Sequence, residues 1–249
     1  MHDLSLWFIT AITLTFFLAG LVKGVTGMGL PTVAMGILGA MVAPVVAAGL
    51  LIVPSFVTNI WQLLAGPSFA RIARRLWPMM AGITAGTLAG TTLLASGAAQ
   101  WTTVALGIAL VCYAAYTLLA KQLRVPPAME PWLSPMIGAI TGIITGGTGV
   151  FVIPAVPYLQ AMNFSKDELI QALGLSFTVS TVALAAGLAA RGAFQPGHLA
   201  ASSLAILPAL AGMWAGQILR NRISPTTFRR WFLFCLLLLG AQLALKPLL

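Results

Sequence analysis

Long apolar runs make up most of this chain, and the interruptions between them are short. One kind of interruption is a charged or proline-marked loop. Such loops fall at 66–76 with Arg71, Arg74 and Arg75, at 121–131 with Lys121, Arg124 and Glu130, at 161–168 with Lys166, Asp167 and Glu168, and at 219–230 with Arg220, Arg222, Arg229 and Arg230. Between them the runs are about 20 residues long, which is the length of helix that crosses a bilayer. In order they predict a helix from about Leu4 to Lys23, a short piece to Met41, helices over 44–64, 77–96 and 101–121, then 132–145, a short piece to Tyr158, and helices ending near Ala190, Leu219 and Leu245.

The second kind of interruption is a glycine-rich break inside an apolar run. Gly20-Leu-Val-Lys-Gly-Val-Thr-Gly-Met-Gly-Leu-Pro31 returns about 120 residues later as Gly138-Ala-Ile-Thr-Gly-Ile-Ile-Thr-Gly-Gly-Thr-Gly-Val-Phe-Val-Ile-Pro154. Each copy opens with Gly-x-x-x-Gly, enters a Thr-Gly-rich kink and reaches a proline. Such a break frees backbone N–H and C=O groups, which hydrocarbon tolerates only where protein or a cavity surrounds them. Two breaks in matching halves point to a transporter's central site.

Other features repeat in the same order. Ser55-Phe56-Val57-Thr58-Asn59 matches Ser176-Phe177-Thr178-Val179-Ser180, Pro78-x3-Gly82-x3-Gly86 matches Pro208-x3-Gly212-x3-Gly216, and Trp101 matches Trp231. In the first half the basic loop joins the third and fourth apolar pieces, and in the second it joins the fourth and fifth. Because Lys and Arg collect in cytoplasmic loops, equivalent loops lie on opposite sides. The expected fold is therefore an all-α polytopic membrane protein of two inverted repeats. Each repeat has a glycine-broken helix or re-entrant hairpin and about three long transmembrane helices. The expected organisation is one membrane domain, with repeat one over 4–120, a linker at 121–131 and repeat two over 132–247. Both termini then lie outside, and ten of the thirteen basic residues fall inside.

Composition agrees: 59% of the 249 residues are hydrophobic and 7% charged, with a mean hydropathy of +0.99, whereas soluble domains carry about 25% charged residues. The net charge of +9 is explained by orienting loops, so nucleic acid is not an expected partner. Cys112 and Cys235 stand alone in apolar runs and form no metal or disulfide pattern. No metal or other cofactor is expected. The N-terminus lacks a basic region and a convincing cleavage site, so the first apolar run is expected to stay as a helix.

Candidate chemistry is sparse. Lys23 is the one charged residue clearly within a span, and an intramembrane cation is a functional-site hypothesis by default; a lysine snorkelling from a helix end is the alternative. Around it stand Thr26, Gly27, Met28 and Gly29, and in the second copy Thr145, Gly146, Gly147, Thr148 and Gly149, with Thr141 as the repeat counterpart of Lys23. Helix starts after glycine breaks present N–H groups and a positive dipole end, which suits an oxyanion; glycines that merely let helices pack closely are the other reading. Asn59, Ser55, Thr58, Ser176, Thr178 and Ser180 either line the same cavity or bond helix to helix, and Gln62 and Gln171 are weaker candidates. Ser165-Lys-Asp-Glu168 reads as a capping box. No Asp or Glu lies in a span, so a carboxylate proton relay is not expected, and His198 reads as interfacial. No catalytic cluster suggests an enzyme.

Lys-Gly-x-Thr-Gly-Met-Gly at 23–29, Thr-Gly-Gly-Thr-Gly at 145–149, the doubled layout and the size resemble the sulfite exporter TauE/SafE family, also called the 4-toluene sulfonate uptake permease family. The resemblance covers nearly the whole chain. It implies a multi-pass inner-membrane transporter whose partners are the bilayer and a small anion, such as sulfite, an organosulfonate or a related sulfur-containing carboxylate. Export is the expected direction, by alternating access about Lys23, Asn59, Ser176 and the two breaks. An anion channel and a non-transporting membrane subunit stand as alternatives, and a homodimer is left open.

Overall fold

A computed structural model of the protein describes residues 6–119, 124–193, 196–220 and 222–246. Leu4, Asp3, Lys121 and the side chain of His198 lie outside the described residues. The first half contributes α1 (Leu6–Thr26), α2 (Leu30–Met41), α3 (Pro44–Leu64), α4 (Phe69–Ala95) and α5 (Ala99–Leu119). The second contributes α6 (Glu130–Thr148), α7 (Ala155–Ala161), α8 (Lys166–Ala190), α9 (Pro196–Leu204), α10 (Ile206–Arg220) and α11 (Pro225–Leu245). Among the described residues there is no strand, and six stretches are long and apolar enough to cross a membrane. The surface is inverted relative to a soluble protein: all seven tryptophans are at least 65% exposed, as expected of rings that sit at the edges of a bilayer.

Two helices start earlier than the charge pattern predicts. Arg71, Arg74 and Arg75 ride on the first turns of α4, and Pro78 falls inside it. Arg229 and Arg230 lie within α11, which Ser224 caps by accepting the Thr227 N–H at 3.5 Å, with Pro225 at the first helical position. Long arginine side chains reach water from a helix end, so their presence marks the end of the membrane span and not the end of the helix. Thr145, Gly146 and Gly147 are helical as well, and the second break begins only at Gly149. The expected capping box holds: Ser165 Oγ accepts the Glu168 N–H at 3.4 Å and Glu168 Oε2 accepts the Ser165 N–H at 2.9 Å.

Glycine stripes decide which helices meet. A methyl group on Gly20 or Gly24 of α1 would strike backbone atoms of Ala209, Met213 or Gly216 on α10. On α6, Gly138, Gly142 and Gly146 press in the same way on Met79, Ile83 and Thr87 of α4. Without side chains between them the backbones gain close van der Waals contact, which drives helix association in lipid. Each half's Gly-x-x-x-Gly helix thus packs on the other half. Contacts ascend together along α1 and α10 and along α4 and α6, so both pairs run parallel. The α3–α8 pair runs antiparallel, with Gln171 beside Leu63 and Gly66 and Thr181 beside Asn59. The α5–α11 pair does too, meeting at Gly107 and Gly240.

One end of the bundle gathers the basic residues. Arg71 pairs with Glu168. Arg75 donates to Glu130 at 2.9 and 2.5 Å and to the Met162 carbonyl at 3.1 Å, and its guanidinium lies 4.6 Å from the Phe164 ring centre. Both ion pairs join the first half to the second.

Candidate functional site

The first break is built by Gly27 and Gly29, with φ of 77° and 103°, a left-handed conformation that glycine adopts without penalty. The Gly27 N–H bonds to the Lys23 carbonyl at 2.7 Å and closes α1. The Thr26 hydroxyl sits 2.8 Å from the Val22 carbonyl and 2.7 Å from that of Met28, and accepts the Met28 N–H at 3.3 Å. The second break repeats this pattern. Gly149 has φ 72° and its N–H bonds to the Thr145 carbonyl at 2.7 Å, while Thr148 Oγ1 donates to Ile144 O at 2.6 Å and accepts the Val150 N–H at 3.2 Å. Thr26-Gly27 therefore corresponds to Thr148-Gly149. By distance from the left-handed glycine, Lys23 stands opposite Thr145, one helical turn beyond the Thr141 that glycine spacing suggests.

The Lys23 side chain does not snorkel. It is 3% exposed and turns inward against α3, where its ammonium donates to Thr58 Oγ1 at 3.1 Å and to Asn59 Oδ1. Asn59, fully buried, uses its Nδ2 to reach Thr181 Oγ1 on α8 at 3.3 Å. Gln62, one turn along α3, donates to the Gly27 carbonyl at 2.8 Å and so satisfies an acceptor that the break leaves free. Lys23 is the one charged side chain in the buried set of described residues. Its partners are neutral, which is a costly way to hold a charge away from water.

On the same two helices, α3 and α8, are hydroxyls with no partner among the described residues. Ser55 on α3 and Ser176 and Ser180 on α8 are buried, and their Oγ atoms have no partner among the described residues. Gln62 Oε1 and Thr141 Oγ1 share that condition. A helical serine usually relieves itself by bonding the preceding turn, as Thr178 does to the Gly174 carbonyl at 2.7 Å. Most buried polar atoms in folded proteins have a partner, so unsatisfied donors on the two helices that carry Asn59 and Thr181 are candidate ligand groups.

Of the residues that the sequence singles out, Lys23 and Asn59 meet directly, the Gly27 carbonyl accepts from Gln62 one turn along α3 from Asn59, and Ser176 lies on α8 one turn from Ser180. Met28 is buried with its sulfur 3.5 Å from the Tyr113 hydroxyl, and Gly29 faces Val22 and Phe232. The second break sits apart. Gly146 packs on Thr87 and Thr91 of α4, Gly147 faces Leu93, and Gly149 faces Met35 of α2. Among the described residues no hydrogen bond joins Thr145, Thr148 or Gly149 to Lys23 or Asn59. Sequence reasoning passed over Thr181 and Tyr113. Thr181 directly follows the matched Ser176–Ser180 stretch, which was the signal that could have found it. Among the described residues no three His, Cys, Asp or Glu side chains gather as a metal site.

Compared with known proteins, residues 12–243 match the family described as Sulfite exporter TauE/SafE. No curated protein and no solved structure matches the chain.

Proposed function

The chain belongs to the sulfite exporter TauE/SafE family, and from that premise we propose that it exports sulfite, an organosulfonate or a related sulfur-containing carboxylate across the bacterial inner membrane by alternating access. The observation that carries this reading is the buried Lys23 ammonium, held among the described residues by neutral Thr58 and Asn59 alone. A small anion arriving there supplies the missing counter-charge.

Two inverted repeats make the alternation possible. The reading is supported by the exchange of partners between halves, α1 with α10 and α6 with α4. It is supported also by the antiparallel course of α3 against α8 and α5 against α11. Equivalent helices related by an axis in the membrane plane must run in opposite directions, whereas an axis along the membrane normal would leave them parallel. Rocking of one half against the other would break the Arg71–Glu168 and Arg75–Glu130 pairs and open the basic end.

The test is counterflow in proteoliposomes. Vesicles holding the purified chain and preloaded with unlabelled organosulfonate should transiently accumulate the labelled compound. Flux without counterflow would favour a channel, and no flux with any sulfur anion would defeat the transport reading.

A further inference from the structure

Resting on the transport reading above, we infer that the site is matched to a singly charged anion, so that hydrogensulfite or a sulfonate is carried in preference to the sulfite or sulfate dianion. The argument is one of charge balance in a buried place. Lys23 brings one positive charge, and the helices around it bring nothing to adjust that number. Neither α2 nor α3 contains a charged residue. On α10 Arg220 is in the last turn, on α11 Arg229 and Arg230 are near the start, and on α8 Lys166, Asp167 and Glu168 occupy the first turn, where Glu168 is engaged by Arg71. Arg229 comes within electrostatic reach of Tyr113, but it is half-buried at a helix end, where water and salt screen it.

A monoanion beside Lys23 makes the buried site neutral. A dianion leaves one uncompensated negative charge, and an isolated buried charge is strongly disfavoured. The remaining ligands fit the same conclusion. Ser55, Ser176 and Ser180 offer unpartnered hydroxyls, which donate hydrogen bonds to anion oxygens without adding charge. A sulfonate or hydrogensulfite head offers several oxygens to them while carrying a single charge.

The experiment uses the purified full chain in liposomes, with protein-free vesicles as the leak control, and three probes. Methanesulfonate stays a monoanion throughout, sulfate a dianion, and sulfite passes from one form to the other near neutrality. We expect sulfite flux, normalised to methanesulfonate flux at the same pH so that any titration of the site itself cancels, to follow the hydrogensulfite fraction, and sulfate to move at least about tenfold more slowly than methanesulfonate. Sulfate moving as fast as methanesulfonate, or normalised sulfite flux rising as the dianion forms, overturns the charge match while transport stands. Flux of none of the three overturns both. An isosteric change supplies a second readout. Asn59→Asp sets a permanent negative charge against Lys23, and we expect methanesulfonate flux to fall at least about tenfold in protein that still elutes as the parent does in detergent. Unchanged flux in that variant also overturns the inference.

Discussion

Replacing Asn59 by leucine removes the acceptor that Lys23 shares between Asn59 and Thr58, and with it the bond to Thr181. The two side chains are similar in size, so the change is chiefly one of polarity. A hydrogen bond to a charged group contributes about 1.5–3 kcal/mol and a neutral one about 0.5–1.5 kcal/mol. Asn59 makes one of each, so its loss should cost about 2–4.5 kcal/mol by the same scale. The upper part of that range is expected, because Lys23 is 3% exposed and keeps only Thr58. In a Lys23→Met background the charged bond is already gone and Asn59 Oδ1 is stranded. Asn59→Leu then forfeits the Thr181 bond but relieves a buried acceptor, a net effect within about 1 kcal/mol of zero. The coupling between the two sites is thus about 1–5.5 kcal/mol, above the roughly 0.3–0.5 kcal/mol within which independent sites add. Reversible unfolding of the four proteins in mixed micelles measures it. Additive single and double changes would show that Asn59 does not hold Lys23, and the site as described would be wrong.

Three further outcomes follow from the same geometry. Ser176→Ala and Ser180→Ala remove hydroxyls that bond nothing among the described residues, so stability should hold or rise by up to about 1 kcal/mol, while KM for the carried anion rises at least about tenfold, the worth of a hydrogen bond to a charged group. Gly142→Ala should cost about 1–3 kcal/mol by overpacking, because its methyl meets the backbone of Ile83 and Thr87. Gly97→Asn, at φ 76° with open space around it, should be neutral within about 0.5 kcal/mol because asparagine tolerates the left-handed region; unfolding in micelles separates the two. Finally, cysteines in place of Arg75 and Glu130, with Cys112 and Cys235 changed to alanine, should let a short bifunctional thiol reagent halt transport and a cleavable version restore it. Transport that continues through a completed cross-link would show that this end stays closed throughout the cycle.

Much of the helix order was legible because hydrocarbon permits so few alternatives: a run of apolar residues bounded by arginine can scarcely be anything else. What charge could not show was where α4 and α11 begin, since arginine serves equally well in a loop or on the last turn of a helix. Lys23 and Asn59 were legible singly, as polar groups that a bilayer should not hold without reason. That they touch was not, because 36 positions separate them and Asn59 and Thr181 lie 122 apart. The match between halves failed by one turn for a specific reason. Glycines four apart look the same after a shift of four, so Gly20 can be laid on Gly138 or Gly142 equally well. Only the left-handed Gly27 and Gly149, each preceded by a threonine that bonds the next N–H, break the degeneracy.

The exchange of glycine helices between halves sets a timetable for biogenesis. Gly20 of α1 rests on Ala209 of α10, which emerges from the ribosome 189 residues later. At about 5–20 residues per second, α1 waits on the order of 10–40 s with its glycine face towards lipid or the insertion machinery. The second half has no such delay, since α4 is already in place when α6 arrives. Assembly should therefore proceed from the α4–α6 pair outward, with α1 docking among the last. A ribosome stalled before residue 209 should display a nascent chain in which Gly142 is protected from labelling, as a cysteine variant, and Gly20 is still accessible.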